Sequence, residues 1–515
     1  MNIEKKNDFN DLFVFDLANN HQGSVEHGLS IIKEIGTIVA KHDVRGVFKF
    51  QFRDLDTFIH PSHKNNSDNK HIPRFLSTKL DEQQFGSLLN EVKSQNMISM
   101  VTPFDEKSVE LALELDFEIL KIASCSAKDW PLLDVVAATG KPVIFSTGGL
   151  KIDDIDNLVS FFEHKGTDFA IMHCVSIYPT PSDMCELNQI ELLIKRYPGR
   201  VIGWSTHENP DDKSPILVAY AKGARIFERH VGKETEEIKL NAYSSTPKQV
   251  DNWLSAYHEA VKLCGHIARP ATSKAEIEGI NSLKRGVYAS KQIKKGQKIE
   301  RDQVYFSMPC DDGQLSSGEW AEGIIATDNH SPDAQILNKN VELPSKLGHL
   351  VIKKAIHKVK ALLNEAGIVL GTDFEVEYSH HYGMETFDQT GCVIIDCVNR
   401  EYCKKLIVQL PEQSHPLHYH KRKEETFQVL YGELFLELDG RAKLMKPGDS
   451  ALVMPGVWHR FWTDTGAIVE EISTTHFNDD SIYKDPKIQN VERSFRKTKV
   501  DNWGRYELAD AEEKQ

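Results

Sequence analysis

The chain has 515 residues, of which 40% are hydrophobic and 27% charged, and its formal net charge at pH 7 is −14. This composition is typical of folded globular proteins, and the length predicts two to four domains. The negative charge argues against nucleic-acid binding. Because the N-terminus does not resemble a signal peptide and no apolar run reaches membrane length, we expect a cytoplasmic protein that does not enter a membrane. The eight cysteines are scattered, which favours reduced thiols over a disulfide framework.

The first 265 residues alternate between apolar runs with strand character and helical patterns. The runs end near Asp16, Gln51, Thr102, Ala123, Phe145, His173, Trp204 and His230. Residues 121–149 form the clearest unit, in which Asp129 fits a helix N-cap, Pro131 fits the first turn and Gly140 ends the helix. Eight alternations over this length predict a closed (β/α)8 TIM barrel of the α/β class, with an open doubly wound sheet as the structural alternative.

Polar side chains stand at these strand ends, where the chemistry of (β/α)8 barrels is found. In chain order they are Asp16, Asn19, Asn20, His21, Lys49, Gln51, Thr102, Lys121, Ser124, Ser146, Thr147, His173, Ser176, Tyr178, Ser205, His207, Glu228 and His230. Lysines with hydroxyls and a glycine loop favour a phosphate site, and two histidines near a carboxylate favour a divalent metal ion. Together they suggest activation of a phosphorylated substrate.

Single residues of this set also fit simpler interpretations. His173 fits best as a core histidine whose hydrogen bonds are satisfied, and Lys49 taken alone fits a solvated charge. The residues from Asn19 to His21 fit a turn, because asparagine tolerates a positive φ. The placement of many polar residues at one end of eight strands is what favours a joint site.

Eight runs between residues 12 and 232 resemble the sialic acid synthase family in order and spacing. They are FDLANNHQG, FKFQ, VTPFD, KIAS, GKPVIFSTGG, HCVSIYPTP, GWSTHE and GARIFERH. Members of that family join phosphoenolpyruvate to an aldose such as N-acetylmannosamine, release phosphate, and need Mn²⁺ or a similar divalent ion. The resemblance implies the same type of reaction here, in the biosynthesis of surface glycans.

The resemblance also implies roles for matching residues. Phosphoenolpyruvate would be contacted by Lys49, Thr102, Lys121, Ser124 and Ser205, and the wider substrate-binding set adds Gln51, Ser146, Ser176 and Tyr178. His207 and His230 would bind Mn²⁺ or Mg²⁺ in the barrel. Asp16 and Glu228 would face the aldose and its aldehyde, and with Lys49 and Lys121 they form the predicted catalytic set.

The chain departs from the family pattern where the family binds the sugar. Asp16 replaces a glutamate, Ala18 a glycine, Ser176 an asparagine and Thr206 an aspartate, and Leu240-Asn241 stands in place of an Asp-His pair. That pair helps to bind the aldose in the family. We therefore expect the phosphoenolpyruvate half of the site to be retained, with either a different aldose or weak activity on N-acetylmannosamine.

The segment after the barrel is predicted to contain a linker, a small domain and a connector. Residues 266–280 have the composition of a linker, and residues 281–345 resemble the antifreeze-like (SAF) domain of the same family. The resemblance implies that Arg285 reaches the active site of a partner subunit in a domain-swapped homodimer, although Arg285 also fits a surface position. The connector, residues 346–380, contains an amphipathic helical pattern over residues 350–366.

Short strand patterns dominate residues 381–485. His418 and His420 alternate on one predicted strand, and Glu425 and His459 complete a set of three imidazoles and one carboxylate. These two motifs resemble the cupin superfamily, and the donor set suits Mn²⁺, Fe²⁺, Zn²⁺ or Ni²⁺. The cupin is therefore predicted to hold a second divalent metal ion.

The role of the cupin metal is open between catalysis and binding. The run HYHKRKEETFQ resembles sugar isomerases of the D-lyxose isomerase type, which implies an isomerase that makes the aldose for the barrel. Alternatively the cupin only binds a sugar or holds an oligomer together, since a fold does not determine a function. Lys421 and Glu424 would act as acid and base only if they point inward.

Two local predictions complete the cupin region. Alternation places Phe427, Val429 and Tyr431 on one strand face, and Asp439-Gly440 predicts a hairpin turn. Residues 486–515 are predicted to form a charged, frayed tail. The whole chain is thus predicted to be a synthase with a barrel, a cap and a cupin, and the alternatives are a cupin isomerase and a sugar-binding or scaffold protein with an inactive barrel.

Overall fold

The computed structural model describes residues 8–64, 68–267, 269–344, 348–501 and 503. It divides into two compact units, residues 1–271 and residues 272–515. All eight cysteines are unpaired, as expected for reduced thiols. Within the described ranges, no helix has the length and apolar character that a membrane crossing requires.

The first unit is a closed barrel of eight parallel strands in sequential order, which confirms the barrel prediction and excludes the open sheet. The strands are β1 (Leu12–Asp16), β2 (Arg45–Phe52), β3 (Ile98–Pro103), β4 (Ile119–Ile122), β5 (Val143–Ser146), β6 (Phe169–Cys174), β7 (Ile202–Thr206) and β8 (Ile226–His230). The helices are α1 (Val25–His42), α2 (Leu55–Phe58), α3 (His71–Ser77), α4 (Glu82–Ser94), α5 (Glu106–Glu114), α6 (Trp130–Ala138), α7 (Ile152–Lys165), α8 (Asn188–Arg196), α9 (Ser214–Ala221) and α10 (Pro247–Cys264).

The elements of the barrel form where local signals and burial agree. All residues of β1, β5 and β6 are buried, because helices cover the outside of the barrel and side chains fill its inside. The Asp129 side chain accepts a hydrogen bond from the backbone N–H of Leu132 at the start of α6, and Pro131 lies in the first turn, as predicted. Thr246 and Gln249 form a capping box at the start of α10.

The register of the strands aligns the polar strand ends. Asp16 at the end of β1 pairs with Lys49 of β2 on one side and with His230 of β8 on the other. Ser205 of β7 pairs with Glu228 of β8. Because all eight strands run in the same direction, these side chains lie together at the C-terminal mouth of the barrel.

The second unit begins with a helix and four short strands. They are α11 (Lys274–Asn281), β9 (Gly286–Ala289), β10 (Val304–Ser307), β11 (Ile325–Ala326) and β12 (Val341–Glu342). The predicted linker, residues 266–280, contains most of α11, which a capping box of Ser273 and Glu276 starts. Its role as a linker stays a prediction. The bounds of the antifreeze-like domain stay a prediction, and its predicted last residue, 345, lies outside the described residues.

The remainder of the second unit consists of two antiparallel sheets and two helices. These elements are α12 (Gly348–Glu365), β13 (Glu375–Ser379), β14 (Cys392–Asn399), β15 (Tyr402–Gln409), β16 (His418–His420), β17 (Glu425–Gly432), β18 (Leu434–Leu438), β19 (Arg441–Met445), β20 (Ser450–Val453), β21 (His459–Trp462), β22 (Ala467–Thr474), β23 (Ser481–Tyr483), α13 (Pro486–Gln489) and β24 (Lys497–Asp501). The sheet orders are β20-β17-β22-β15-β14-β13-β24 and β19-β18-β21-β16-β23, the arrangement expected for a cupin. The predicted amphipathic helix is α12, which buries Ile356 and Val359 against Val376 and Val393 of the larger sheet.

The segment after residue 485 is charged, as predicted, but the prediction that it is frayed is wrong where the structure describes it. Helix α13 starts at Pro486, and β24 pairs along its whole length with β13, with Lys497 opposite Ser379. Residue 502 and residues 504–515 lie outside the described residues. The cupin sheet therefore extends beyond the predicted 381–485 at both ends.

The predicted alternation in β17 fails at one residue, while the predicted hairpin turn forms. A β-bulge shifts the register between Val429 and Tyr431. Phe427 and Val429 join the core between the two sheets, whereas Tyr431 packs in the core that contains α12 and donates a hydrogen bond to Glu365. The turn at Asp439-Gly440 connects β18 to β19, and both residues have a positive φ.

Candidate active site and metal sites

The centre of the barrel mouth is a buried network of one lysine and two carboxylates. Lys49 Nζ lies 2.8 Å from Glu228 Oε1 and 3.1 Å from Asp16 Oδ2. The Ser205 hydroxyl donates to the same Glu228 oxygen at 3.1 Å. The exposed fraction of Lys49 is only 4%, so its ammonium group depends on these carboxylates and not on water.

Lys121 occupies the neighbouring position in the barrel interior. Its Nζ donates to Ser146 Oγ at 2.5 Å and to the Ile122 carbonyl at 3.2 Å, and it lies 4.0 Å from Glu228 Oε2. Among the described residues, neither Glu228 Oε2 nor the buried Thr102 hydroxyl has a hydrogen-bond partner. Unpaired buried polar atoms are costly, so this region of the mouth is suited to a polar ligand.

The buried charges shift one another's pKa values. Burial raises the pKa of Glu228, but Lys121 and Lys49 outweigh it and lower the pKa to about 2. The pKa of Asp16 is also lowered, because Lys49 and His230 overcome the effect of burial. Burial lowers the pKa of Lys121, whereas Lys49 has a raised pKa because Asp16 and Glu228 outweigh its burial. The carboxylates are thus ionised at neutral pH and keep Lys49 charged.

A cluster of serine hydroxyls lies beside a close backbone approach after β5. The Gly148 backbone N–H donates to Ser124 Oγ at 2.9 Å. A Cβ atom at position 148 would collide with the hydroxyls of Ser124 and Ser176, so only glycine fits there without a shift of its neighbours. Ser176 is exposed and Tyr178 is 51% exposed at the rim of the mouth.

Two histidines lie on the β7–β8 side of the mouth. The ring centroids of His207 and His230 are 5.3 Å apart, and His230 Nε2 lies 3.4 Å from Asp16 Oδ2. His207 Nδ1 lies 3.2 Å from the Val175 carbonyl, which fixes the proton on Nδ1 and leaves Nε2 with its lone pair. Burial lowers the pKa of both rings, that of His207 to about 3. Two neutral imidazoles next to carboxylates fit a divalent metal ion.

The cupin brings its predicted ligands together between the two sheets. The candidate ligand atoms of His418, His420 and His459 all lie within 4.8 Å of one another, and the three residues are buried. Glu425 Oε1 lies 2.9 Å from His459 Nε2 and 3.6 Å from His420 Nε2. The Nδ1 atoms of His418 and His459 each lie 3.0 Å from a backbone carbonyl, so their Nε2 atoms remain unprotonated. This donor set fits a divalent metal ion.

Charged residues that the sequence did not single out line the same cupin cavity. Lys423 Nζ lies 2.5 Å from Glu425 Oε2 and 2.9 Å from Glu471 Oε1, and all three residues are buried. Lys421 and Glu424 are exposed, so they do not meet the condition set for an acid–base role, which was that they point inward. Lys423 lies in the loop between β16 and β17, and its ion pairs with Glu425 and Glu471 hold its side chain in the cavity.

Comparison with known proteins places this geometry in a family. A family model described as the NeuB family matches residues 38–269. An uncharacterized protein of Methanocaldococcus jannaschii is 30% identical over 293 residues, which cover 56% of this chain and 82% of that protein. The chain belongs to the NeuB family. A second family model, described as a cupin domain, matches residues 406–473.

Further relatives of this NeuB-family chain include a named enzyme and a solved structure. The N-acetylneuraminate-9-phosphate synthase of Drosophila melanogaster is 25% identical over 369 residues, covering 64% of this chain and 95% of that protein. A crystal structure from Chromobacterium violaceum, of a protein described as a spore coat polysaccharide biosynthesis protein, has a TM-score of 0.62 and 43% identity. It covers 64% of this chain and 99% of that one.

Two residues near the NeuB-family site were missed from the sequence. Tyr243, in the loop after β8, has its ring 5.3 Å from those of His230 and Tyr178, and no sequence pattern indicated it. Arg53 continues the alternation of Lys49 and Gln51 along β2, and that spacing could have found it. The Gln51 amide donates to Asp16 Oδ2 at 3.0 Å, and Arg53 donates to Gln51 Oε1 at 3.1 Å.

Other sequence-predicted positions have mainly structural contacts. His173 is buried, with its Nε2 3.0 Å from the Cys185 carbonyl, as expected for a core histidine. The turn predicted from Asn19 to His21 forms, and Asn20 also donates to the Val231 carbonyl at 2.8 Å and to Ser244 Oγ at 3.0 Å. Asn241 accepts a hydrogen bond from the Tyr243 backbone N–H.

Arg285 lies in the second unit of the chain. It is exposed, and its guanidinium carbon lies 5.9 Å from the Phe306 ring centroid. A surface position of this kind fits both interpretations made from the sequence. Its role at a partner subunit's active site therefore stays a prediction.

Proposed function

We propose that this chain condenses phosphoenolpyruvate with an aldose in the cytoplasm, giving a 2-keto sugar acid of the sialic acid type and phosphate. The observation that carries the proposal is the placement of Lys49 and Lys121 on either side of Glu228 at the barrel mouth, next to His207 and His230. The name of the Drosophila relative supports the same type of product. Glycan biosynthesis is the process that would use this product.

The two lysines bind the anionic ends of phosphoenolpyruvate. Lys121 and Lys49 neutralise its phosphate and carboxylate, replacing part of the attraction that Glu228 provides in the free protein. The Thr102 hydroxyl, which has no partner among the described residues, donates to one of these anionic groups. Ser124, Ser146 and Ser205 supply further hydroxyl donors around the enol phosphate.

The aldose is oriented on the side of the mouth formed by β7, β8 and β1. His207 and His230 would hold a divalent ion, which would supply Lewis acidity toward the aldehyde oxygen. Asp16 accepts a hydrogen bond from the aldose and fixes its aldehyde carbon within about 3.5 Å of the enol C3. The Glu228 carboxylate faces C2, where positive charge develops when C3 attacks. Water then adds to C2, and phosphate leaves with cleavage of its C–O bond.

The proposal is tested by following phosphoenolpyruvate with ³¹P NMR in the presence of Mn²⁺ and a panel of aldoses, with mass detection of the product. Phosphate release that depends on one aldose is the expected result. Lys121→Met should lower the rate at least about 100-fold, because a charged contact to the reacting anion is lost. Lys128→Met is the matched control, since this lysine is exposed and pairs with Asp154 at 3.5 Å. Absence of phosphate release with every aldose would refute the proposal and favour a binding or scaffold role.

A second candidate function, aldose–ketose isomerisation, belongs to the cupin. The observation that favours it is one cavity lined by two of the three clustered histidines, by Glu425 and by the Lys423–Glu471 ion pair. Ionisable groups beside a metal site can move protons. Replacement of both His418 and His420 by alanine should abolish isomerisation if the cupin carries it. Isomerisation that persists in this double variant would remove the cupin as its source.

A domain-swapped homodimer in which Arg285 completes the partner's site remains part of the proposal. Mixing Lys121→Met chains with Arg285→Ala chains tests it, because a swapped dimer of the two contains one barrel with both residues. Activity should then reappear after subunit exchange. If each barrel uses its own Arg285, the mixture stays as inactive as the separate variants.

A further inference from the structure

Arg53, at the rim of the barrel mouth, has its guanidinium group positioned by two aromatic rings. Its guanidinium carbon lies 3.6 Å from the Phe104 ring centroid and 4.1 Å from that of Phe75. Both rings attract the guanidinium group, whose N–H groups donate hydrogen bonds in its own plane, from its edges. One edge is used by the hydrogen bond from Nη2 to Gln51 Oε1.

Arg53 has no direct ion pair among the described residues, and the carboxylates of Asp16 and Asp105 act on its charge only from a greater distance. Within the described part of the chain, no carboxylate oxygen lies within 4.0 Å of its nitrogens, whereas the fully buried Arg229 pairs with Glu208 at 2.9 Å. The Nε atom is shielded from solvent and has no hydrogen-bond partner. Burial lowers the pKa of Arg53 to about 10, which reflects the cost of holding this charge away from water. A cation that is ordered, partly buried and unpaired is suited to an anionic ligand.

The position of Arg53 relates it to the aldose side of the site. The polar residues run around the mouth from His230 on β8 through Asp16 on β1 to Gln51 at the end of β2, and Arg53 follows Gln51. Neighbouring strands are about 4.8 Å apart, so the arc from β8 to β2 spans about 10 Å. An aldose whose aldehyde lies at the histidines and whose chain passes Asp16 and Gln51 would bring its far end to Arg53.

We propose that Arg53 binds an anionic group, a phosphate or a carboxylate, on the carbon of the aldose farthest from its aldehyde. This inference rests on the proposed condensation and specifies its acceptor as an anionic sugar. The alternative source of the anion is phosphoenolpyruvate itself, and the experiment below separates the two. Arg53 is thus a specificity residue and takes no part in the bond-making step.

The experiment compares N-acetylmannosamine with its 6-phosphate and with the corresponding 6-carboxylate as acceptors for the full-length protein with Mn²⁺. The variants are Arg53→Gln, Arg53→Lys and the matched control Arg45→Gln. Arg45 lies at the opposite end of the same strand and pairs with Asp8. Kinetic constants for each aldose and for phosphoenolpyruvate are measured separately, and titration with phosphoenolpyruvate checks that each variant retains its site.

The wild type should prefer an anionic acceptor, and Arg53→Gln should lower kcat/KM for that acceptor about 10- to 100-fold while changing the neutral aldose less than about twofold. For Arg53→Lys, kcat/KM for the anionic acceptor should lie between those of the wild type and Arg53→Gln, because lysine keeps the charge but lacks the planar fork of N–H donors. If Arg53→Gln fails to fold, the assignment of Arg53 is decided by the kinetics of Arg53→Lys and by the acceptor preference of the wild type.

Each opposing result has a separate meaning. Equal turnover of neutral and anionic aldoses, or equal losses for both in Arg53→Gln, would overturn the assignment of Arg53. If Arg53→Gln raised only the KM for phosphoenolpyruvate, the anion bound by Arg53 would belong to that substrate, and the assignment would also be overturned. No turnover with any aldose would instead refute the proposed condensation.

Discussion

Lys121 and Glu228 approach each other in the barrel interior, with Nζ of the lysine 4.0 Å from Oε2 of the glutamate. The other oxygen of the same carboxylate is 2.8 Å from Lys49 Nζ. One carboxylate therefore stabilises two buried ammonium groups in the free protein. This arrangement keeps both cations ready for an anion while limiting the cost of their burial.

The first prediction concerns the charge of Glu228. Glu228→Gln keeps the shape of the side chain but leaves Lys49 and Lys121 with less compensation, so phosphoenolpyruvate should bind at least as tightly as in the wild type. The condensation rate should fall about 100-fold or more, because the carboxylate no longer faces the charge at C2. Calorimetric titration and ³¹P NMR measure the two effects. Loss of phosphoenolpyruvate binding as well as of the condensation rate would contradict the prediction. Glu163→Gln is the control, because Glu163 is exposed and pairs with Arg200.

The second prediction concerns the pH dependence of stability. The pKa of Glu228 is about 2 in the folded barrel and 4.5 in its ordinary state, so the unfolded chain binds this proton more readily. The stabilisation is complete above about pH 4.5 and is lost as the pH falls toward 2. The difference in barrel stability between wild type and Glu228→Gln should therefore shrink over this interval. Hydrogen exchange of barrel peptides measures it, and a difference that stays constant with pH would be inconsistent with the lowered pKa.

The third prediction concerns the close approach at Gly148. Gly148→Ala places a methyl group against the hydroxyls of Ser124 and Ser176, so the serine cluster must move. Phosphoenolpyruvate should bind at least about tenfold more weakly, while the barrel remains folded. Gly279→Ala is the control, because a Cβ there meets no atom within 4 Å. Unchanged affinity in Gly148→Ala would show that this cluster does not contact the enol phosphate.

The fourth prediction concerns metal content. The wild type loaded with Mn²⁺ should hold two ions per chain, one at each candidate site. The double variant of His418 and His420 should lose only the cupin ion, and the double variant of His207 and His230 only the barrel ion. Mass spectrometry of desalted protein counts the ions. His476→Ala tests whether a histidine of the cupin cavity outside the donor set changes the number of bound ions. Retention of both ions in either double variant would rule out that site.

The fifth prediction concerns the buried ion pairs of Lys423. Lys423→Met leaves Glu425 and Glu471 without their cation, and breaking a buried pair in this way typically costs about 3–5 kcal/mol. The pair of Lys404 with Glu470, at 2.8 Å, is partly exposed and provides the control, because Lys404→Met should cost only about 0–1 kcal/mol. Thermal unfolding of the metal-free protein should show the contrast. Equal effects of both substitutions would mean that the inner pair does not stabilise the cupin.

The barrel and its strand-end residues could be predicted from the sequence because both follow local rules. Apolar runs alternating with helical patterns predict the eight strands, and parallel strands bring their carboxyl ends to one mouth. Lys49, Lys121 and Glu228 were therefore identified without coordinates. The cupin ligands His418 and His420 follow from the two-residue period of a strand in the same way.

The errors occur where long-range pairing overrides the local pattern. β24 looks like a charged tail in the sequence, and it becomes a strand only because the edge of β13 offers unpaired backbone groups. The bulge in β17 moves Tyr431 into the core that contains α12, and no residue type in the sequence indicates the bulge. Lys423 lies inside the cupin while its neighbours Lys421 and Glu424 lie outside, because its ammonium group pairs with Glu471, which is far away in the chain.

The sequence by itself determined the order of the elements, the barrel mouth as the place of the chemistry and the residue types available there, since periodicity and spacing are local properties. Only the tertiary structure decided which charges pair, that Tyr243 lies beside the histidines and that Arg53 stands unpaired at the rim. The reason is physical: pairing depends on distances of a few ångströms between residues that are far apart in the chain, and those distances exist only once the barrel has closed.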